Sequence, residues 1–148
     1  MEPTLDQQVR AHVYDGAMKN GLPPTFAQIA SALSAPLEEV RTAAHRLADA
    51  HMLVLQRETG EVLMANPFSA VPTPFLVRAG GVDYFGSCIW EAFGIPFILK
   101  RDAVIHASCG DCGQAMTLTV TNGQLEPAEG MIHFALPAKH WWEDIVFT

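Results

Sequence analysis

Apolar residues in the first fifty positions recur at helical spacing. Leu5, Val9, Val13 and Ala17 lie four apart and predict a helix with one buried face that ends at Asn20-Gly21. Pro23-Pro24 blocks any continuation. Thr25-Phe26-Ala27-Gln28 has capping-box spacing, in which the hydroxyl and the Gln side chain satisfy open amides, and predicts a second helix to about Leu33. Ser34-Ala35-Pro36 offers a further cap with a first-turn proline, after which Leu37, Val40, Ala44, Leu47 and Ala48 carry a third helix to about Ala50. Residues 51–56 and 61–65 read as short strands around Arg57-Glu58-Thr59-Gly60, a turn with glycine where positive φ is needed. Three helices and a hairpin follow the winged-helix order.

The pattern changes at residues 66–74, where Pro67, Pro72 and Pro74 forbid helix and favour extended chain. This connector separates an expected winged-helix-like domain, 1–65, from a second domain, 75–148. In the latter, strands at 75–78 and 82–85 flank Ala79-Gly80-Gly81, and a short helix at 88–93 stops before Gly94-Ile95-Pro96. Strand-like stretches return at 104–108, 116–120 and 131–136, with turn chemistry at 109–113 and at Asn122-Gly123. The expected fold class is α+β: a three-helix lobe plus a small mixed sheet with one short helix.

Composition narrows the functions. A chain of 148 residues with 49% hydrophobic and 17% charged side chains has enough apolar material for a packed core. Its formal charge of −7 gives no general attraction to phosphate backbones or anionic lipid. No apolar run is long enough for a bilayer, and Met1-Glu2-Pro3-Thr4 lacks a basic start leading into an apolar stretch, so a cytoplasmic address without a membrane partner is expected. Arg41 and Arg46 on the third helix could touch DNA phosphates. Against this, residues 1–65 hold five basic and eight acidic side chains, with Glu38 and Glu39 at the start of that helix, so nucleic acid is a poor partner. Oligomeric state is not set by the sequence.

Three cysteines carry the candidate chemistry. In a reducing compartment, thiols serve more often as ligands or nucleophiles than as bridges. Cys109-Gly110-Asp111-Cys112-Gly113 has the CxxC spacing that lets two thiolates reach one metal ion. It is half a zinc site, with no second pair, and a turn with free thiols is the competing reading. A redox role of the thioredoxin type needs a strand followed by a long helix, whereas this motif lies between two strands. Cys88 and Glu91, three apart, share a face of a helical turn. Carboxylate charge and burial would both raise the thiol pKa, favouring a stored proton over a free thiolate. Structural alternatives are a buried Cys88 beside a solvated Glu91, and a packed aromatic edge at His140-Trp141-Trp142.

From Asn66 onward the sequence resembles the organomercurial (alkylmercury) lyase family. The likeness rests on Asn66-Pro67-Phe68-Ser69, the segment 84–93 around Cys88 and Glu91, Gly94-Ile95-Pro96, the cysteine-bearing turn followed by 116–120, and Leu136-Pro137 leading to Trp141-Trp142. It implies cleavage of carbon–mercury bonds, with Cys88 as nucleophile and mercury ligand. Glu91 stands in for the family's aspartate as proton donor. No cofactor is required; mercury is the substrate's own ion, and an organomercurial and a small-molecule thiol are the implied partners. The family's second catalytic cysteine is expected soon after residues 141–147, beyond Thr148. A second sulfur donor would then be Cys109, Cys112 or a small-molecule thiol. The alternative is a non-catalytic, thiol-based metal-binding or regulatory protein.

Overall fold

A computed structural model describes residues 2–146. Helix α1, Leu5–Asn20, starts on a capping box made by Thr4 and Gln7 and ends at Gly21, whose φ of 83° suits glycine. Helix α2, Phe26–Leu33, has the Thr25–Gln28 capping box that the sequence predicts. Helix α3 covers Leu37–Asp49. Ser34 does not cap it: Ser34 closes α2 in the left-handed region, and Pro36 precedes α3 without a side-chain cap. Val9, Val13, Phe26, Ile29, Val40 and Leu47 form one buried cluster beneath these helices.

Among the described residues, eight strands form one sheet: β1 Val54–Leu55, β2 Val62–Ala65, β3 Phe68–Ser69, β4 Phe75–Ala79, β5 Val82–Gly86, β6 Ala103–Ser108, β7 Ala115–Thr121 and β8 Gln124–Glu126. Their order is β1-β2-β3-β5-β4-β6-β7-β8, and each of these ladders is antiparallel. The chain is therefore α+β, but the expected mixed sheet is corrected to an antiparallel one that continues through the proline-rich segment. Phe68 and Ser69 make that link, pairing with β2 on one side and β5 on the other. Asn122 and Gly123, both at positive φ, turn the chain from β7 into β8, a strand too short to show an alternating pattern.

Two further expectations give way. Helix α4 covers Ile89–Leu99, passing through Gly94 and Pro96 instead of stopping before them. Ala92 and Ile95 are buried in a second core with Val77, Tyr84 and Ile105, Pro96 is buried beside them in the helix, and that packing outweighs the local penalty of a helical proline. The stretch 131–136 alternates exposed and half-buried residues as a strand would, yet it pairs with no described strand. Its inner residues pack on aromatic side chains: Phe134 meets Trp90 at 6.1 Å and Trp141 at 4.9 Å between ring centroids. A short 3-10 helix, Ala138–Glu143, follows.

Two tyrosines tie α1 to the sheet. Tyr84, fully buried on β5, donates to the Met18 carbonyl at 2.7 Å. Tyr14 donates to the Asn66 carbonyl at 3.1 Å.

Candidate active site

Strand β5 ends at Gly86, and α4 begins three residues later. A Cβ on Gly86 would stand 2.7 Å from the Ala92 amide nitrogen, so the missing side chain lets the first turn of α4 close against the strand end. Cys88 is the residue before the helix, in extended conformation, and makes no side-chain cap. Glu91 lies in the first turn and accepts a hydrogen bond from the Ser87 amide at 3.0 Å, curling its carboxyl back towards the strand–helix junction. The thiol and the acid thus come from one strand–helix junction and line the same cavity, although Cys88 precedes the helix instead of sharing a helical turn with Glu91 as expected.

Both face a cavity of about 410 Å³. One wall comes from α4 and the residues before it: Ser87, Cys88, Trp90, Glu91 and Gly94. Met64, Asn66 and Pro67 form a second wall, and Phe134, Trp141, Trp142, Ile145 and Val146 form a third. The third wall is braced at two points. Trp141 donates its indole N–H to the Leu136 carbonyl at 2.9 Å, and Trp142 stacks on His51 with ring centroids 4.1 Å apart and planes 3° from parallel. A thiol and a carboxyl therefore line a mostly apolar space, with four aromatic side chains in its walls, that suits an apolar group.

Burial favours the protonated form of both groups. Burial raises the Glu91 pKa, with the Ser87 hydroxyl and amide pulling the other way. Burial also raises the Cys88 pKa; the nearby Glu91 and Trp90 amides oppose it, while the Glu91 charge adds to it. Ser87 Oγ is itself buried and completes no aligned hydrogen bond, although it lies close enough to favour the Glu91 carboxylate. Tyr14 is kept protonated by burial, with a smaller upward push from Glu91 against the opposing charge of Arg10.

Cys109 and Cys112 lie elsewhere, in the turn between β6 and β7, and neither is among the cavity residues. The turn is closed by Cys109 N–H donating to Gln114 O at 2.8 Å and Gly113 N–H donating to Cys109 O at 2.9 Å. The amides of Cys112 and Asp111, then the Cys112 thiol, lower the Cys109 pKa. Among the described residues no three His, Cys, Asp or Glu side chains converge on a metal position, so Cys88, Cys109 and Cys112 do not form a common ligand set. The family's second cysteine position lies outside the described residues. Arg46 and Arg41, the candidate phosphate contacts, are engaged with Asp6 and Glu38.

Sequence reasoning missed Ser87, Phe134 and the Tyr14–Asn66 link. An alternating segment containing Phe134, read as a strand, was the available signal for the aromatic wall. No local pattern marks Tyr14, whose partner is 52 positions away.

An α+β protein whose thiol and raised-pKa carboxyl share an aromatic cavity belongs, by its site, among proteins that combine a soft ligand with a proton source. The chain is a member of the alkylmercury lyase family, whose model (MerB: Alkylmercury lyase) matches residues 68–148. An alkylmercury lyase of Streptomyces lividans is 29% identical over 123 residues, covering 81% of this chain and 55% of that protein. A solved structure described as the mercury-bound form of MerB2 shares the fold, with a TM-score of 0.64 at 22% identity, over 84% of this chain and 59% of the other. The chain thus spans less than three fifths of each relative's length. No helix among the described residues is long and apolar enough to cross a membrane.

Proposed function

We propose that this protein cleaves carbon–mercury bonds by protonolysis, a detoxification chemistry, with Cys88 as mercury ligand and Glu91 as proton donor. The observation that carries this reading is the placement of the thiol and the acid, from one strand–helix junction, on a single aromatic cavity. Mercury is a soft ion, so a sulfur ligand captures R–Hg⁺ where oxygen ligands compete poorly. The raised thiol pKa does not prevent this, because forming the sulfur–mercury bond displaces the proton.

A second sulfur then adds to mercury and weakens the Hg–C bond. Cys88 is the cysteine among the described cavity residues, and in this reading a small-molecule thiol supplies the second sulfur. Glu91 delivers its proton to carbon, the Hg–C electron pair leaves with the organic group, and R–H is released. Mercuric ion remains on Cys88 and the thiol sulfur, and Glu91 remains as carboxylate. A further thiol replaces Cys88 on mercury and gives its proton to the Cys88 sulfur, the proton released by the first small thiol restores the Glu91 acid, and the proton that Cys88 lost on capture leaves with the ligand displaced from R–Hg. The cavity shields this transfer from bulk water, and the same burial raises the acid's pKa, so Glu91 holds its proton to higher pH than an exposed carboxyl does.

That Cys88 is the one cysteine among the described cavity residues also supports a second reading, a thiol protein that captures organomercurials without turnover. An anaerobic titration with methylmercury or phenylmercury, with and without excess small thiol, separates the two. Release of methane or benzene supports the lyase; stoichiometric retention of R–Hg on Cys88 without hydrocarbon supports capture.

A further inference from the structure

The β6–β7 turn carries a pair of thiols that the cavity chemistry does not use. Cys112 is exposed, Cys109 is half-buried, and the two sit close enough to influence each other. The backbone around them is held: β6 and β7 pair continuously up to Ser108 and Ala115, two further hydrogen bonds close the loop, and Gly113 supplies the positive φ of 72°. The position of the pair is thus set by a ladder and not by a loose loop.

Ligand number decides what such a pair can hold. A structural zinc ion requires four donors. Among the described residues no third His, Cys, Asp or Glu joins these two sulfurs. Two thiolates alone satisfy a thiophilic ion that prefers linear two-coordination.

We infer that Cys109 and Cys112 form a second, surface mercuric-ion site, separate from Cys88, that takes Hg(II) as a two-sulfur chelate. This inference stands independently of the lyase reading. Hg(II) arrives bound to two small monothiols. Two sulfur–mercury bonds to those thiols break and two to the protein form; the protein's two thiol protons leave on the released monothiols, and no atom changes oxidation state. Chelation makes the second exchange intramolecular, which typically raises retention by about 10²- to 10⁴-fold over a single thiol.

The test uses the full chain, reduced and kept anaerobic, with Hg(II) supplied as its bis-mercaptoethanol complex and read by native mass spectrometry and thiol titration. Cys88→Ser isolates the turn. This variant should bind one Hg(II), lose both remaining titratable thiols, and hold the ion about 100-fold or more against excess monothiol than Cys88→Ser/Cys112→Ser. In the chain with Cys88 intact, Cys109→Ser/Cys112→Ser should remove one of two bound equivalents, a readout that does not depend on how Cys88→Ser folds. Equal retention by the single and double variants would overturn the site, as would one thiol staying free in the loaded protein. Zn(II) competing at equal concentration would also refute the two-coordinate assignment.

Discussion

Replacing Glu91 by Gln tests the proton donor with little disturbance of the site. The carboxyl's recorded partner is the Ser87 amide at 3.0 Å, and a Gln side-chain oxygen can accept that bond in its place. Size and the junction geometry are kept; the acidic proton is lost. A positioned general acid contributes about 10²- to 10⁴-fold, equivalent to about 2.7 to 5.5 kcal/mol in the barrier. Glu91 is half-buried, so water retains some access as a substitute acid, and the loss should fall near the lower end, about 100-fold. Single-turnover release of benzene from phenylmercury, measured by headspace gas chromatography with mercury retention followed in parallel, separates this step from capture. Release should fall while retention on Cys88 stays at one equivalent. Glu91→Asp is the control, because it shortens the arm by one methylene but keeps the proton. Hydrocarbon release from Glu91→Gln at the wild-type rate would mean that another group protonates carbon.

Cys88→Ser exchanges a soft sulfur for a hard hydroxyl, so both organomercurial retention at the cavity and hydrocarbon release should drop to background, as read by the same two assays. The raised Glu91 pKa means that the folded chain holds this proton more tightly than the unfolded one. Its contribution to stability is complete below the ordinary carboxylate pKa and is lost as pH rises through the raised folded value. Urea titrations at several pH values should therefore show wild type losing stability relative to Glu91→Gln as pH climbs through that window, and a gap that widens in wild type's favour would contradict the shift. Trp142→Ala removes a stacked ring worth about 0.5 to 1.5 kcal/mol beyond its buried area; it should lower the denaturation midpoint and raise KM for phenylmercury more than for methylmercury, because an aromatic wall is lost.

The sequence was most informative where local chemistry decides structure. The Thr25 box, Gly21 and the spacing of α3 all reappear in place because caps and helical periodicity act within a few residues. Cys88 and Glu91 were legible as a pair because they are three positions apart, but the geometry differs from the expected helical turn: Cys88 precedes the helix in extended conformation, and the Ser87 amide draws the Glu91 carboxyl back towards it. The length of α4 was not legible: Gly94 and Pro96 are local stop signals, and only the burial of Ala92 and Ile95 against the sheet explains why the helix runs to Leu99. Likewise, the alternation at 131–136 reported one buried face correctly. It could not say whether that face meets a strand or, as here, a cluster of tryptophans. Tertiary partners settle both cases, and no window of sequence contains them.

The cavity also draws on residues before the stretch matched by the family model. Met64 lies on β2, in the hairpin that follows the three helices, and Asn66 and Pro67 lead into β3; all three line the same space as Cys88 and Glu91. Their position is held from the N-terminal side, by Tyr14 of α1 donating to the Asn66 carbonyl. The same phenol is close enough to feel the Glu91 charge, and burial raises its pKa further above the ordinary tyrosine value, so its proton stays available for the Asn66 carbonyl. The aromatic wall is held in a comparable way, through Trp142 stacked on His51 beside the end of α3. The helical part of the chain therefore braces two of the three walls around the acid and the thiol, α1 through Tyr14 and the turn after α3 through His51.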